Sequence, residues 1–476
     1  MAGTYACAYH ASMRRIIAAS ILLVSGMSVQ AQEPFAEKVQ HAPGRSPDRI
    51  VLTWRKDPTR TQSVTWRTDT SVTSAIAEYA EAKAGPEFAG DAKKRAVAVS
   101  SSFKSDLSDA HFHSAHFENL TPDTQYAYRV GDGVHWSEWH HFTTASATPA
   151  KFRFLYFGDA QYQLKERWAP LVHAAHLAAP DSRFSVHAGD LVNIGGRDAE
   201  WGEWFQAAEP LNRTMPVIPT PGNHEYLHDE GHKLPPYWTK QFALPDNGPK
   251  GLAAGVFHVD FQGLRIISLN SNEQKPEQVD WLKRVLEKNP NRWTIVTFHH
   301  PIYSLASGRD NSSLRALWQP IFDKHRVDLA LQGHDHCYGR SGLRGYEGAP
   351  GGTVYVVSVS GPMFNSPNQD ATWTVRKGTG VQLFQAITID GDSLHFEART
   401  LAGELFDSFT LRKQDGQANV LTNGPHDPRS VLPPAPRTGP ATTEKSFPWV
   451  PWAMLLLLVL VGVLVALRLL RRRGPD

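Results

Sequence analysis

Short, predominantly apolar runs punctuate the middle of the chain at residues 152–157, 184–188, 294–298 and 327–331. Runs of this length bounded by glycine or histidine read as strands buried on both faces, as in a parallel sheet covered by helices. Between them, apolar residues recur at helical spacing in 168–178, 201–208, 279–286 and 314–322. Strand alternating with helix predicts an α/β core over 150–412. Residues 351–360 and 381–411 alternate like further strands, the second stretch holding a hairpin turned at Asp390-Gly391-Asp392. Ahead of the core, runs at 50–54, 63–66, 113–117 and 126–130 are separated by turn residues, which predicts an all-β sandwich over 48–145.

The two ends follow other patterns. Residues 1–31 carry Arg14-Arg15, an apolar stretch from 16 to 29 and the small-residue ending Val29-Gln30-Ala31, the signature of a secretory signal peptide. Residues 449–467 form an uncharged apolar run with Trp449 and Trp452 at its start and Arg468 and Arg471-Arg472-Arg473 after it. That run predicts a transmembrane helix over 449–470 with a cytoplasmic tail at 471–476. Residues 414–448, with Pro433-Pro434-Ala435-Pro436, read as a semi-rigid proline-rich stalk. The expectation is a protein exported across the cytoplasmic membrane and anchored there by its carboxyl-terminal helix, with its folded body periplasmic or at the cell surface.

Composition adds exclusions. A chain of 476 residues accommodates two domains, and a formal net charge of +2 argues against a nucleic-acid or other strongly charged partner. Of two cysteines, Cys7 falls in the leader and Cys337 is left unpaired, so no disulfide framework holds the fold. His173 and His176 on the first core helix read as packed or solvated residues.

The chemistry sits just after the apolar runs, in five blocks: Gly158-Asp159, Gly189-Asp190, Gly222-Asn223-His224-Glu225, His299-His300-Pro301 and Gly333-His334-Asp335-His336. Ligands at the carboxyl ends of neighbouring strands converge where open α/β sheets place their sites. Carboxylates, an amide oxygen and imidazoles are the inventory of a dinuclear metal site, whose ions lie about 3.5 to 4 Å apart.

The order of these blocks resembles the calcineurin-like metallophosphoesterase superfamily, and in detail its purple acid phosphatase branch. That branch also carries a fibronectin type III-like domain ahead of the catalytic one, and Leu120 to Tyr126 resembles the tyrosine-corner segment of such domains. The resemblance implies that Asp190 bridges two metals, that Asp159 and His336 ligate the first, and that Asn223, His299 and His334 ligate the second. It implies that His224 is the catalytic histidine that meets the phosphoryl group or protonates the leaving oxygen. His300 stays open, and Glu225 either orients His224 or caps a helix.

Two departures bear on the metals. The branch has a tyrosine three residues after the bridging aspartate, where this chain has Asn193; related branches have Asp-x-His where this chain has Asp159-Ala160-Gln161. Gln161 or Asn193 supplies an oxygen to the first metal, or water does, which favours two divalent ions drawn from Fe, Mn or Zn and a protein that is not purple. Arg309 and Asn311 stand in the loop after His299 where plant enzymes present paired histidines. The implied reaction is hydrolysis of a phosphomonoester by attack of metal-bound hydroxide. The rivals are a phosphodiesterase using the same metal pair and a catalytically silent surface-binding protein.

Overall fold

The computed structural model describes residues 37–90, 93–226, 234–252, 254–346 and 352–430. Two seven-stranded sheets face each other in the core. The first runs, edge to edge, Val217–Pro219, Ser182–His187, Phe152–Phe157, Leu383–Asp390, Ser393–Thr400, Leu405–Arg412 and Val420–Asn423. The second runs Phe257–Phe261, Leu264–Ser268, Trp293–Phe298, Leu329–Gln332, Thr353–Val357, Tyr338–Arg344 and Thr374–Gly378. Within each sheet a parallel set carries the site: 217–219, 182–187 and 152–157 in the first, and 264–268, 293–298, 329–332 and 353–357 in the second.

Alternation explains why the apolar runs are continuous. Ile266, Ile295, Leu329 and Val354 point into the layer between the sheets, while Ile267, Val296, Ala330 and Tyr355 pack under the helices Glu277–Glu287 and Ser312–Lys324. Both faces of the sheet are covered, so no polar face is left to mark a period of two. The helix Ala169–Ala178, entered through a π-helical turn at Leu164–Trp168, covers the other sheet through Leu171, Val172 and Ala175. The hairpin expected at 390–392 is present, with Asp390 paired to Ser393 and Gly391 at φ +53°.

The amino-terminal sandwich pairs two four-stranded sheets. Its tyrosine corner is formed: the Thr121 N–H donates to Tyr126 Oη at 2.9 Å. The sandwich is fastened to the core at two points. Arg49 and Arg67 both reach Asp198 on the helix Asp198–Ala207, at 2.7 and 3.1 Å, with all three side chains buried. Trp54 inserts among Phe184 and Phe261, with ring centroids at 5.8 and 5.4 Å.

One boundary moves. Residues 414–430, expected in the stalk, belong to the body: Val420–Asn423 extends the first sheet and Pro428–Ser430 forms a short turn held by Asp427. The cause is local, since Val420 and Leu421 can pair where the prolines further on cannot donate to a ladder. Among the described residues no helix is long and apolar enough to cross a membrane. The segments expected as signal peptide (1–31), remaining stalk (431–448) and transmembrane helix (449–470) lie outside the described residues.

Candidate metal centre

Five of these seven parallel strands, 152–157, 182–187, 217–219, 293–298 and 329–332, lead into turns that carry the ligand-type side chains. Asp159, Asp190, His334 and His336 all adopt positive φ, at 39°, 51°, 72° and 50°. Such backbone is costly for residues with a Cβ and persists only where the surroundings hold it, as at functional sites. The glycines between them leave no room: a Cβ on Gly222 would lie 2.1 Å from Asp190 Oδ1, and one on Gly333 2.6 Å from Asp159 Oδ2.

These turns gather two groups. Ligand atoms of Asp159, Asp190 and His336 lie within 4.8 Å of one another, and so do those of His299, His300 and His334. His299 links them, its Nε2 lying 3.0 Å from Asp190 Oδ2, 3.0 Å from Asn223 Oδ1 and 3.2 Å from His334 Nδ1. All seven residues singled out in the sequence are therefore in one place; His224 joins through its backbone N–H, which donates to Asp190 Oδ1 at 2.9 Å.

The donor set fits a metal. His299 Nδ1 is taken by the Ala188 carbonyl at 2.9 Å, which leaves Nε2 to face three other lone-pair atoms. Four such atoms around one point call for a cation, and a proton on Nε2 can serve only one of the three contacts. Burial would lower the His299 pKa, but Asp190 and Asp159 raise it to about 9. Burial likewise lifts Asp159 well above the carboxylate range, whereas His299 holds Asp190 below it against the same burial. Gln161 adds a further sign: its Nε2 lies 2.8 Å from His336 Nε2, and its Oε1 is buried with no hydrogen-bond partner.

Four side chains differ from what the sequence suggested. Glu225 neither orients His224 nor caps a helix. Its carboxylate accepts the N–H groups of Gly222 at 2.7 Å, Asp190 at 2.9 Å, Leu191 at 2.7 Å and Val192 at 3.3 Å. It thereby clamps two ligand loops together, and burial raises its pKa to about 7. Asn193 acts through its carbonyl, which accepts from His224 Nδ1 at 2.6 Å. Arg309 and Asn311 are committed inward, Arg309 Nη1 to the His334 carbonyl at 2.6 Å and Asn311 Nδ2 to the Pro301 carbonyl at 2.8 Å.

His300 packs its ring 4.3 Å from that of His334, with Nδ1 2.9 Å from Ser271 Oγ; burial and His299 lower its pKa to about 3, so it stands neutral. Asp335 was missed as a support. It accepts from Ser304 Oγ and from the Leu305 and Ala306 N–H groups, fixing the turn between His334 and His336. Its place between two histidines was the available signal. Cys337 is fully buried and its thiol pKa is pushed up by burial, which suits a packed side chain.

The sequence matches the family described as Purple acid Phosphatase, N-terminal domain over residues 47–144, and the family described as Calcineurin-like phosphoesterase over residues 152–338. Among curated proteins it is similar to an uncharacterized protein of Mycobacterium tuberculosis, 29% identical over 302 residues, covering 54% of this chain and 56% of the relative. It is also similar to purple acid phosphatase 15 of Arabidopsis thaliana, 24% identical over 282 residues, covering 52% of each. The chain thus spans about half the length of these relatives. A purple acid phosphatase from yellow lupin (Lupinus luteus) seeds shares the fold, with a TM-score of 0.68 and 20% identity over 79% of this chain and 76% of that one. With both domains matched in order and the ligand turns assembled, residues 47–144 carry a purple acid phosphatase-type amino-terminal domain and residues 152–338 a calcineurin-like phosphoesterase domain.

Proposed function

We propose that this protein is a metal-dependent phosphomonoesterase with a dinuclear site. The observation that carries the reading is the convergence of lone-pair atoms from Asp190, Asn223 and His334 on His299 Nε2, beside the group formed by Asp159, Asp190 and His336. In this reading Asp159 and His336 hold one ion, Asn223, His299 and His334 the other, and Asp190 bridges them. Gln161 Oε1, buried without a hydrogen-bond partner, would be available as a further oxygen donor for the first ion. Two bound divalent ions would lower the pKa of water and neutralise phosphoryl oxygens.

The chain's own contribution is orientation and one proton. His224 gives its Nδ1–H to the Asn193 carbonyl, so in its imidazolium form Nε2–H is the donor left for the departing alkoxide, and the ring becomes neutral as that proton leaves. The Ala188 carbonyl sets the His299 tautomer, the kind of outer support that fixes a ligand's direction. We extend the proposal to an extracytoplasmic, membrane-anchored setting, supported by the leader-like residues 1–31 and the apolar run at 449–470. Protease added to spheroplasts, with fractionation alongside, would test it: resistance of the body to that protease, or its recovery with soluble cytoplasm, would reject that setting.

The central test is metal content by mass spectrometry with hydrolysis of p-nitrophenyl phosphate and its bis-ester, for the full chain and for Asp190→Ala. Two ions per chain and monoester turnover, both lost in the variant, are expected. Faster bis-ester cleavage would make it a phosphodiesterase. Absence of hydrolysis after reconstitution with Mn, Fe or Zn would favour a silent binding protein.

A further inference from the structure

A cavity of about 360 Å³ opens beside the second ligand group, within the size range of small-molecule sites. Asn223 and His300 form its inner wall, and Tyr226, Asn272, Lys275 and Asn311 line the remainder. Because Asn223 also lies against His299, the cavity adjoins the metal centre and offers room for the alcohol portion of a bound phosphoester.

The cavity's chemistry is one-sided. Among the described residues no carboxylate lines it, and half-buried Lys275 is its one lysine or arginine side chain. The nearby acid Glu273 is already engaged, accepting from Tyr226 Oη at 2.8 Å and Asn270 Nδ2 at 3.3 Å. Asn311 and Asn272 spend their amide nitrogens on the Pro301 and Pro221 carbonyls, at 2.8 and 3.0 Å. Among the described residues their Oδ1 atoms are uncommitted, so the walls offer acceptors for hydroxyl groups and Lys275 offers a cation. A partly desolvated ammonium with no ion-pair partner among the described residues favours an anionic ligand group.

Resting on the phosphomonoesterase reading, we propose that Lys275 is a specificity residue that selects phosphomonoesters whose alcohol carries a second anionic group, a carboxylate or another phosphate. Hydroxyls between the two anionic ends would meet Asn272 and Asn311.

Matched substrate pairs test this on the full, metal-loaded chain. 3-Phosphoglycerate against glycerol 3-phosphate isolates the carboxylate; propane-1,3-diol bisphosphate against the monophosphate isolates the second phosphate. The readout is the ratio of kcat/KM within each pair, so overall changes in activity cancel. A charge-assisted contact at a half-buried site should favour the anionic member by about 5- to 10-fold, carried by KM. That ratio should fall to near 1 in Lys275→Gln, invert in Lys275→Glu and survive in Lys275→Arg. The pair with the Lys275-dependent ratio identifies the anion. Wild-type ratios at or below 1 in both pairs, or ratios unchanged in Lys275→Gln, would overturn the proposal. Hydrolysis of glycerol 3-phosphate in that event would leave the phosphomonoesterase reading standing; no hydrolysis of any of the four would end both.

Discussion

Glu225 accepts four backbone N–H groups from two loops, those of Gly222 and of residues 190–192, and so holds Asp190 against Asn223 without touching either side chain. In Glu225→Gln the amide nitrogen would face N–H donors on one side. Supports of this kind change metal affinity by about 10- to 100-fold, and chelator competition followed by metal analysis should register such a loss while far-ultraviolet circular dichroism stays native. Gly222→Ala should act more severely, because its Cβ would meet Asp190 Oδ1 at 2.1 Å; the variant is expected to fold and retain fewer than two ions. The ligands themselves were legible in the sequence because carboxylates and histidines stood in fixed order after apolar runs. Glu225 and Asp335 were illegible in their roles because they hold backbone groups of other loops, and Asn193 because it acts through its own carbonyl, none of which side-chain identity encodes.

At the level of elements, what could be read was whatever the core buries on both sides. Strands 152–157 and 293–298 announced themselves; strands 94–97 and 99–104 did not, since they are mostly exposed and polar. The three-residue strand 217–219 is too short to show a period, though it delivers Asn223 and His224. Helix 312–324 kept its apolar face legible through Leu314, Trp318 and Phe322 despite Pro320. Two predictions belong to the sandwich. Tyr126→Phe leaves the Thr121 N–H without its acceptor and should cost about 1 to 3 kcal/mol in urea unfolding. His113 is buried between Thr68 and Ser100, at 2.8 and 2.7 Å, and burial lowers its pKa to about 4. A histidine with a depressed folded pKa gives full stability above about 6.5 and loses it as pH falls toward 4, because the unfolded chain then binds the extra proton. The melting temperature should therefore decline across that window, and His113→Gln should flatten the decline.

For the whole molecule, the junction between the two domains combines charge and aromatic packing. Asp198 receives both Arg49 and Arg67, and Arg67 also grips Asp48 at 2.6 Å. Removing the shared carboxylate strands the buried Arg49 guanidinium and leaves Arg67 with Asp48 alone, and breaking a buried pair this way costs about 3 to 5 kcal/mol. Asp198→Ala should convert a single calorimetric transition into two. The sequence marked the two domains but not their junction, which depends on Arg49, Arg67 and Trp54 meeting residues more than a hundred positions away.

Trp54 sits against Phe152, Phe184 and Phe261 through a shared aromatic cluster at the amino-terminal ends of the strands, opposite the end that carries the ligands. The sandwich is thus the stopper of the catalytic barrel-like interior. Expressed alone, residues 150–430 would present three bare phenylalanine rings to water and stick to one another. A variant that dispensed with the sandwich would first need polar side chains in place of those rings.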